Sequence, residues 1–133
     1  MYVPAHIGSI RVATQIRRYE KNLLKAREMM TERTKLIDSV VIMKPENEDE
    51  NWTAPPAEEV IYGWATGFRI RQSKSNKFVS VAHLREKLEF LDGCVAEHEE
   101  EMNDARAKIS RLIGAKESTR LLDAVERRNL DSK

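Results

Sequence analysis

Cysteine is almost absent from this chain, and the single one, Cys94, excludes an intrachain disulfide. Three histidines scattered along the sequence, His6, His83 and His98, give that sulfur no partner at zinc-ligand spacing. A reducing compartment is therefore expected, with no metal and no other cofactor. Aromatic residues make up only 6% of the chain while charged ones make up 34%. A globular core of this size uses more large rings and less charge, so burial is expected along a seam between helices. Five glycines and four prolines in 133 residues leave room for long uninterrupted helices within one domain. No run approaches the roughly 18 apolar residues of a membrane span. Residues 1–10 lack the basic start and long apolar core of a secretory signal. The expectation is a cytoplasmic protein with no membrane partner.

Catalytic signatures are missing as well. The sequence holds no phosphate-cradling glycine loop, no Ser/His/Asp ordering, no HExxH and no cysteine pair at metal spacing, so no enzyme is expected and no catalytic residue is assigned. His98 falls on an apolar seam, where a polar residue sets helix register. Cys94 beside it reads as a small packing residue. The run Glu97, Glu99, Glu100, Glu101 reads as a solvated helix face.

What is present is periodicity. Leu84, Leu88, Leu91, Val95, His98, Met102, Ala105, Ile109 and Leu112 step by alternating fours and threes, which keeps one stripe facing a partner helix. Val12, Ile16, Tyr19, Leu23, Ala26, Met30, Thr34, Ile37 and Val41 step in nearly the same way, which places the partner in the same chain. Charge agrees. Residues 11–35 hold eight Lys/Arg against three Glu, whereas residues 85–113 hold five basic residues against eight acidic ones. Flanking ion pairs between the two helices then set pairing, although each exposed pair contributes only roughly 0.2–1 kcal/mol.

The spacing predicts helix 1 over residues 1–43, beginning near Pro4 or capped by Ser9. Residues 44–59 are an acidic, proline-rich loop in which Pro45, Pro55 and Pro56 oppose helix and ladder alike. Residues 60–80 form a β-hairpin turning at Ser73, Lys74, Ser75 and Asn76, with Arg69 and Arg71 alternating against Phe68 and Ile70. Residues 81–133 form helix 2 and a tip, either continuous through Gly114 or restarted at Ser118. The fold class is mainly α: a long antiparallel two-helix coiled coil joined by a β-hairpin. An isolated hairpin is marginal in water, so Tyr62, Trp64, Phe68, Ile70, Phe78, Val79 and Val81 are expected to form an assembly surface that pairs with another chain. Nucleic acid is not expected as a partner, because the net charge is only +1 and the aromatics are needed for packing.

The run Tyr62, Gly67, Phe68, Ile70, Gln72, Ser73, Lys74 resembles the hairpin of β-type prefoldin subunits, and the following REKLEFLDG resembles the start of their second helix. The Gln-Ser-Lys strand end is most like the subunit 1 branch of the eukaryotic complex. Local similarity covers about residues 58–113; residues 9–43 match by heptad pattern alone. Gly67 lies one residue nearer the glutamine than is usual, Gly63 and Trp64 are unusual there, and the acidic loop is long. The resemblance implies a prefoldin-like fold and a hetero-hexamer of such subunits. It implies an ATP-independent co-chaperone that binds unfolded proteins such as actin and tubulin and delivers them to the cytosolic chaperonin. Client contact would fall at the tips, where Ile7 and Ile10 at one terminus and Leu121, Leu122 and Val125 at the other supply apolar side chains. A coiled-coil structural or scaffold subunit of another assembly, without client binding, is the competing expectation.

Overall fold

The computed structural model describes residues 5–130, with side chains from residue 9. It is mainly helical with one small three-stranded antiparallel sheet. In chain order the elements are α1 (Ala5–Asp38), β1 (Val40–Ile42), α2 (Ala57–Ile61), β2 (Ile70–Gln72), β3 (Phe78–Val79), α3 (Val81–Ile113) and α4 (Ala115–Leu130). Two compact units divide the chain, one over residues 29–93 and the other over residues 1–28 and 94–133. Helices α1 and α3 contribute a segment to each.

In the unit of residues 29–93, α1 ends at Asp38, five residues short of the expected boundary. Ser39 closes it, its backbone N–H and its hydroxyl both donating to the Leu36 carbonyl, the hydroxyl at 2.6 Å. The β-branched Val40, Val41 and Ile42 that follow are stiff in a helix and suit a strand, and they alternate buried, exposed, buried. β1 therefore adds to the expected hairpin, giving the order β1-β2-β3 with Val41 opposite Arg71 and Arg71 opposite Phe78.

The first half of the expected hairpin is not a strand. Pro56 precedes α2 and Glu58 and Glu59 occupy its first turn, where negative charge is favoured. Gly63, at φ +85°, ends it. The Gly63 N–H reaches the Val60 carbonyl at 3.2 Å and the Trp64 N–H reaches that of Glu59 at 2.8 Å, the paired bonds of a Schellman turn. Val60 and Ile61 are thus buried from a helix, and with Val40, Ile42, Ile70, Leu84 and Leu88 they make the core of this unit. Ser80 begins α3, its hydroxyl accepting the His83 N–H at 3.2 Å.

In the other unit α1 and α3 lie antiparallel, Arg18 meeting Glu101 and Asp104 while Asn22 meets His98. A third helix joins them. Gly114, at φ +88°, stops α3, its N–H donating to the Ser110 carbonyl at 2.8 Å, and α4 follows at once. Leu122 and Val125 enter a core with Tyr19, Leu23, Ala105 and Ile109. Ser118 lies inside α4 and is buried, so it does not cap a new helix. Two residues of the expected stripes, Met30 at 47% and Leu112 at 41% exposed, fall outside these cores.

Candidate assembly interface

Alternation along three short strands gives the sheet two unlike faces. Val40, Ile42 and Ile70 point to the core, and Val41, Arg71 and Phe78 line up across the opposite face through their cross-strand pairing. Phe78 is 56% exposed, and the Arg69 guanidinium lies 4.0 Å from its ring centroid. Arg71 folds back on the turn, donating to the carbonyls of Gln72 at 3.0 Å and Ser75 at 3.4 Å.

The residues expected to form an assembly hairpin separate into two groups. Ile70 is buried in the unit's own core, and Phe68, Val79 and Val81 pack against it half-buried, Phe68 with its ring 6.1 Å from that of Trp52. Tyr62 is half-buried at the end of α2. Trp64, 73% exposed, stacks on it at 5.3 Å, and only Trp64 and Phe78 of the set stand open to solvent. Helices α2 and α3 and strand β1 supply the cover that the sequence assigned to another chain.

The expected tips also change. Leu122 is 1% and Val125 5% exposed, because α4 packs on Tyr19 and Ile109. Leu121 is half-buried. Ile10 is 60% exposed, and the side chain of Ile7 lies outside the described residues. Ile10 and Leu112 line a shallow groove whose remaining walls include Arg11, Lys108 and Arg111.

One polar cluster was not foreseen. Arg33 donates through Nε to Asp92 at 2.8 Å and through Nη2 to Glu58 and, at 3.2 Å, to the Tyr62 hydroxyl, which itself donates to Asp92. The Glu58 carboxylate above all, with Tyr62 and Asp92, holds the Arg33 guanidinium above its ordinary pKa against the cost of burial. Burial pushes the Tyr62 phenol up, and its bond to Asp92 adds to that while Arg33 opposes it. The cluster joins α1, α2 and α3 and has the character of a structural clamp. Its signal in the sequence was Pro-Pro-Ala-Glu-Glu ahead of Tyr-Gly-Trp, a helix start and stop that places Glu58 and Tyr62 one turn apart.

Among the described residues no group of His, Cys, Asp and Glu could hold a metal ion, and no helix is long and apolar enough to cross a membrane. No protein-family model matches the chain, and no curated protein or solved structure matches it either.

Proposed function

We propose that this chain is a prefoldin-like assembly subunit, joining related subunits through its small sheet and serving an ATP-independent chaperone that holds unfolded proteins for the cytosolic chaperonin. The observation that carries the reading is Phe78, a large ring left 56% exposed on the edge strand β3, one residue before the half-buried Val79. An open edge strand bearing an exposed ring is a ready site for strand pairing with another chain. Of the residues that carry the resemblance, Gly67, Phe68, Ile70, Gln72, Ser73 and Lys74 lie in or beside β2 of this sheet, whereas Tyr62 caps α2. Client contact in this reading moves from Leu122 and Val125 to side chains that remain exposed, Ile10, Leu112 and Leu130.

The second reading, a scaffold subunit that never touches clients, draws on the burial of Leu122 and Val125 on the inner face of α4, against Tyr19 and Ile109, which closes off apolar surface that capture of unfolded chains would use. Native mass spectrometry of the complex purified from its source separates the two. Six small coiled-coil chains that suppress aggregation of unfolded actin support the chaperone reading; a different stoichiometry without holdase activity supports the scaffold.

A further inference from the structure

The unit of residues 29–93 carries two strongly charged surfaces of opposite sign, and neither is neutralised. The outer side of the sheet and its turn present Arg69, Arg71, Lys74 and Lys77, and none of the four forms an ion pair among the described residues. The segment after β1 presents Glu46, Glu48, Asp49 and Glu50, all exposed and likewise without an ion pair.

The acidic segment has a defined shape. The Glu48 N–H donates to the Pro45 carbonyl at 3.2 Å, the Asn51 N–H to the Asp49 carboxylate at 2.9 Å and the Trp52 N–H to the Asp49 carbonyl at 3.2 Å. Both ends are tethered: the Met43 N–H donates to the Arg69 carbonyl at 2.8 Å, and the Trp52 ring packs 6.1 Å from that of Phe68. The segment starts beside Arg69, yet none of its carboxylates pairs with a cation of its own sheet.

We propose that two copies of this chain pair through this unit, the acidic turn of each seated on the basic sheet face of the other. One patch of each sign per protomer, tied together by the Met43–Arg69 bond, allows a two-fold interface in which the contact made by the first copy is returned by the second. Opposed patches steer encounter and fix register. The pairing uses the cations of the outer face and the proposed assembly uses the β3 edge, with the Arg69–Phe78 contact common to both, so the charge reversals below read the pairing and native mass spectrometry reads the assembly. Single-stranded nucleic acid is the less favoured occupant of the face, because Arg69 already lies over the Phe78 ring on which a base would stack.

Sedimentation velocity on the full chain tests the pairing. The unmodified protein should dimerise, with association weakened about tenfold or more between about 50 mM and about 500 mM salt as the charges are screened. Reversing the turn (E46K, E48K, E50K) or the face (R69E, K74E, K77E) should give monomers whose circular dichroism stays native, because every altered side chain is exposed. Mixing the two reversed proteins should restore a dimer, since each then offers the complement of the other. Arg71 and Asp49 are left in place because each holds its turn, Arg71 through two carbonyls and Asp49 through the Asn51 N–H. A monomer at low salt, reversed proteins that dimerise as the parent does, or a mixture of natively folded variants that stays monomeric overturns the proposal. So does a labelled single-stranded oligonucleotide that the parent binds and the face variant loses, with no dimer in the parent.

Discussion

Arg33 Nε donates to Asp92 Oδ1 at 2.8 Å, and through this bond the last turns of α1 are held to α3 in the unit that carries the sheet. The Arg33 side chain is 18% exposed, whereas those of Glu58 and Asp92 are each 43% exposed. Water therefore screens the carboxylates, and the cluster contributes less than a fully buried one would. Replacing Arg33 by Met should lower stability by about 1–2 kcal/mol, read from urea unfolding followed by circular dichroism. Lysine should recover only part of that, because an ammonium cannot bridge Glu58, Tyr62 and Asp92 in one plane.

Among the described residues each unit holds one tyrosine whose phenol is pushed above its ordinary pKa. Burial does this to Tyr19, helped by its bond to Glu126 at 2.5 Å and opposed by Arg106 at 3.0 Å; burial and Asp92 do it to Tyr62. A raised folded-state value means the neutral phenol is preferred in the native state. Its contribution is fully present below the unfolded value near 10 and is lost as pH climbs through the higher native value. Urea midpoints should accordingly fall on the alkaline side of about pH 10. Tyr19→Phe and Tyr62→Phe should each flatten that loss and cost about 1 kcal/mol at neutral pH, where Glu126 or Asp92 loses its donor. An alkaline slope that both variants keep unchanged would remove the phenols from the account.

Much of the helical frame was legible because the seam repeats. Leu84, Leu88, Ala105 and Ile109 on one helix and Tyr19, Leu23 and Ala26 on the other are buried where alternating fours and threes put them. Errors came where local signals compete. Val41 continued the heptad in register, but Val40–Ile42, three β-branched residues after a serine that closes the helix, favoured a strand. Val60, Ile61 and Tyr62 look like a strand by composition, yet Pro56 before them and Gly63 after them set a helical turn. The third helix was hidden for a different reason. A periodic stripe says that a face is buried and does not say against which element, so Leu122 and Val125 read as free apolar residues when they close a core. In the clamp of Arg33 only the Glu58–Tyr62 spacing left a local signal, because Arg33 itself sits 25, 29 and 59 residues from Glu58, Tyr62 and Asp92.

Gly63 and Gly114 have nearly the same backbone, φ +85° and +88°, in unlike surroundings. A Cβ at Gly114 would meet nothing within 4 Å, whereas one at Gly63 would come 3.0 Å from Arg85 Nη2. Arg85 is not free to yield, since its Nε donates to the Ile61 carbonyl at 2.6 Å. Gly114→Ala should thus cost about 1 kcal/mol, the strain of the left-handed conformation alone. Gly63→Ala should cost more, adding the loss of the Arg85 bond to the same strain. Thermal midpoints of the two variants give the comparison, and equal shifts would show that Arg85 moves aside freely.

Ile70 and Phe78 sit on opposite faces of neighbouring strands, and the same substitution at each distinguishes fold from assembly. Ile70 is 1% exposed among Val60, Ile61 and Leu88, so Ile70→Asp buries an unpaired carboxylate and should unfold this unit, with a loss of several kcal/mol. Phe78 is 56% exposed and its ring already faces a guanidinium. Phe78→Asp replaces a ring–cation contact by an ion pair with Arg69 and should leave the isolated chain within about 0.5 kcal/mol of the parent. If the β3 edge joins another subunit, however, the aspartate enters a strand-pairing surface that had buried the ring, and the complex should be lost while the monomer stays folded. Circular dichroism of the chain together with native mass spectrometry of the co-expressed complex reads both at once. A Phe78→Asp chain that still enters the full complex would place the subunit contacts elsewhere and leave the edge of the sheet without an assembly role.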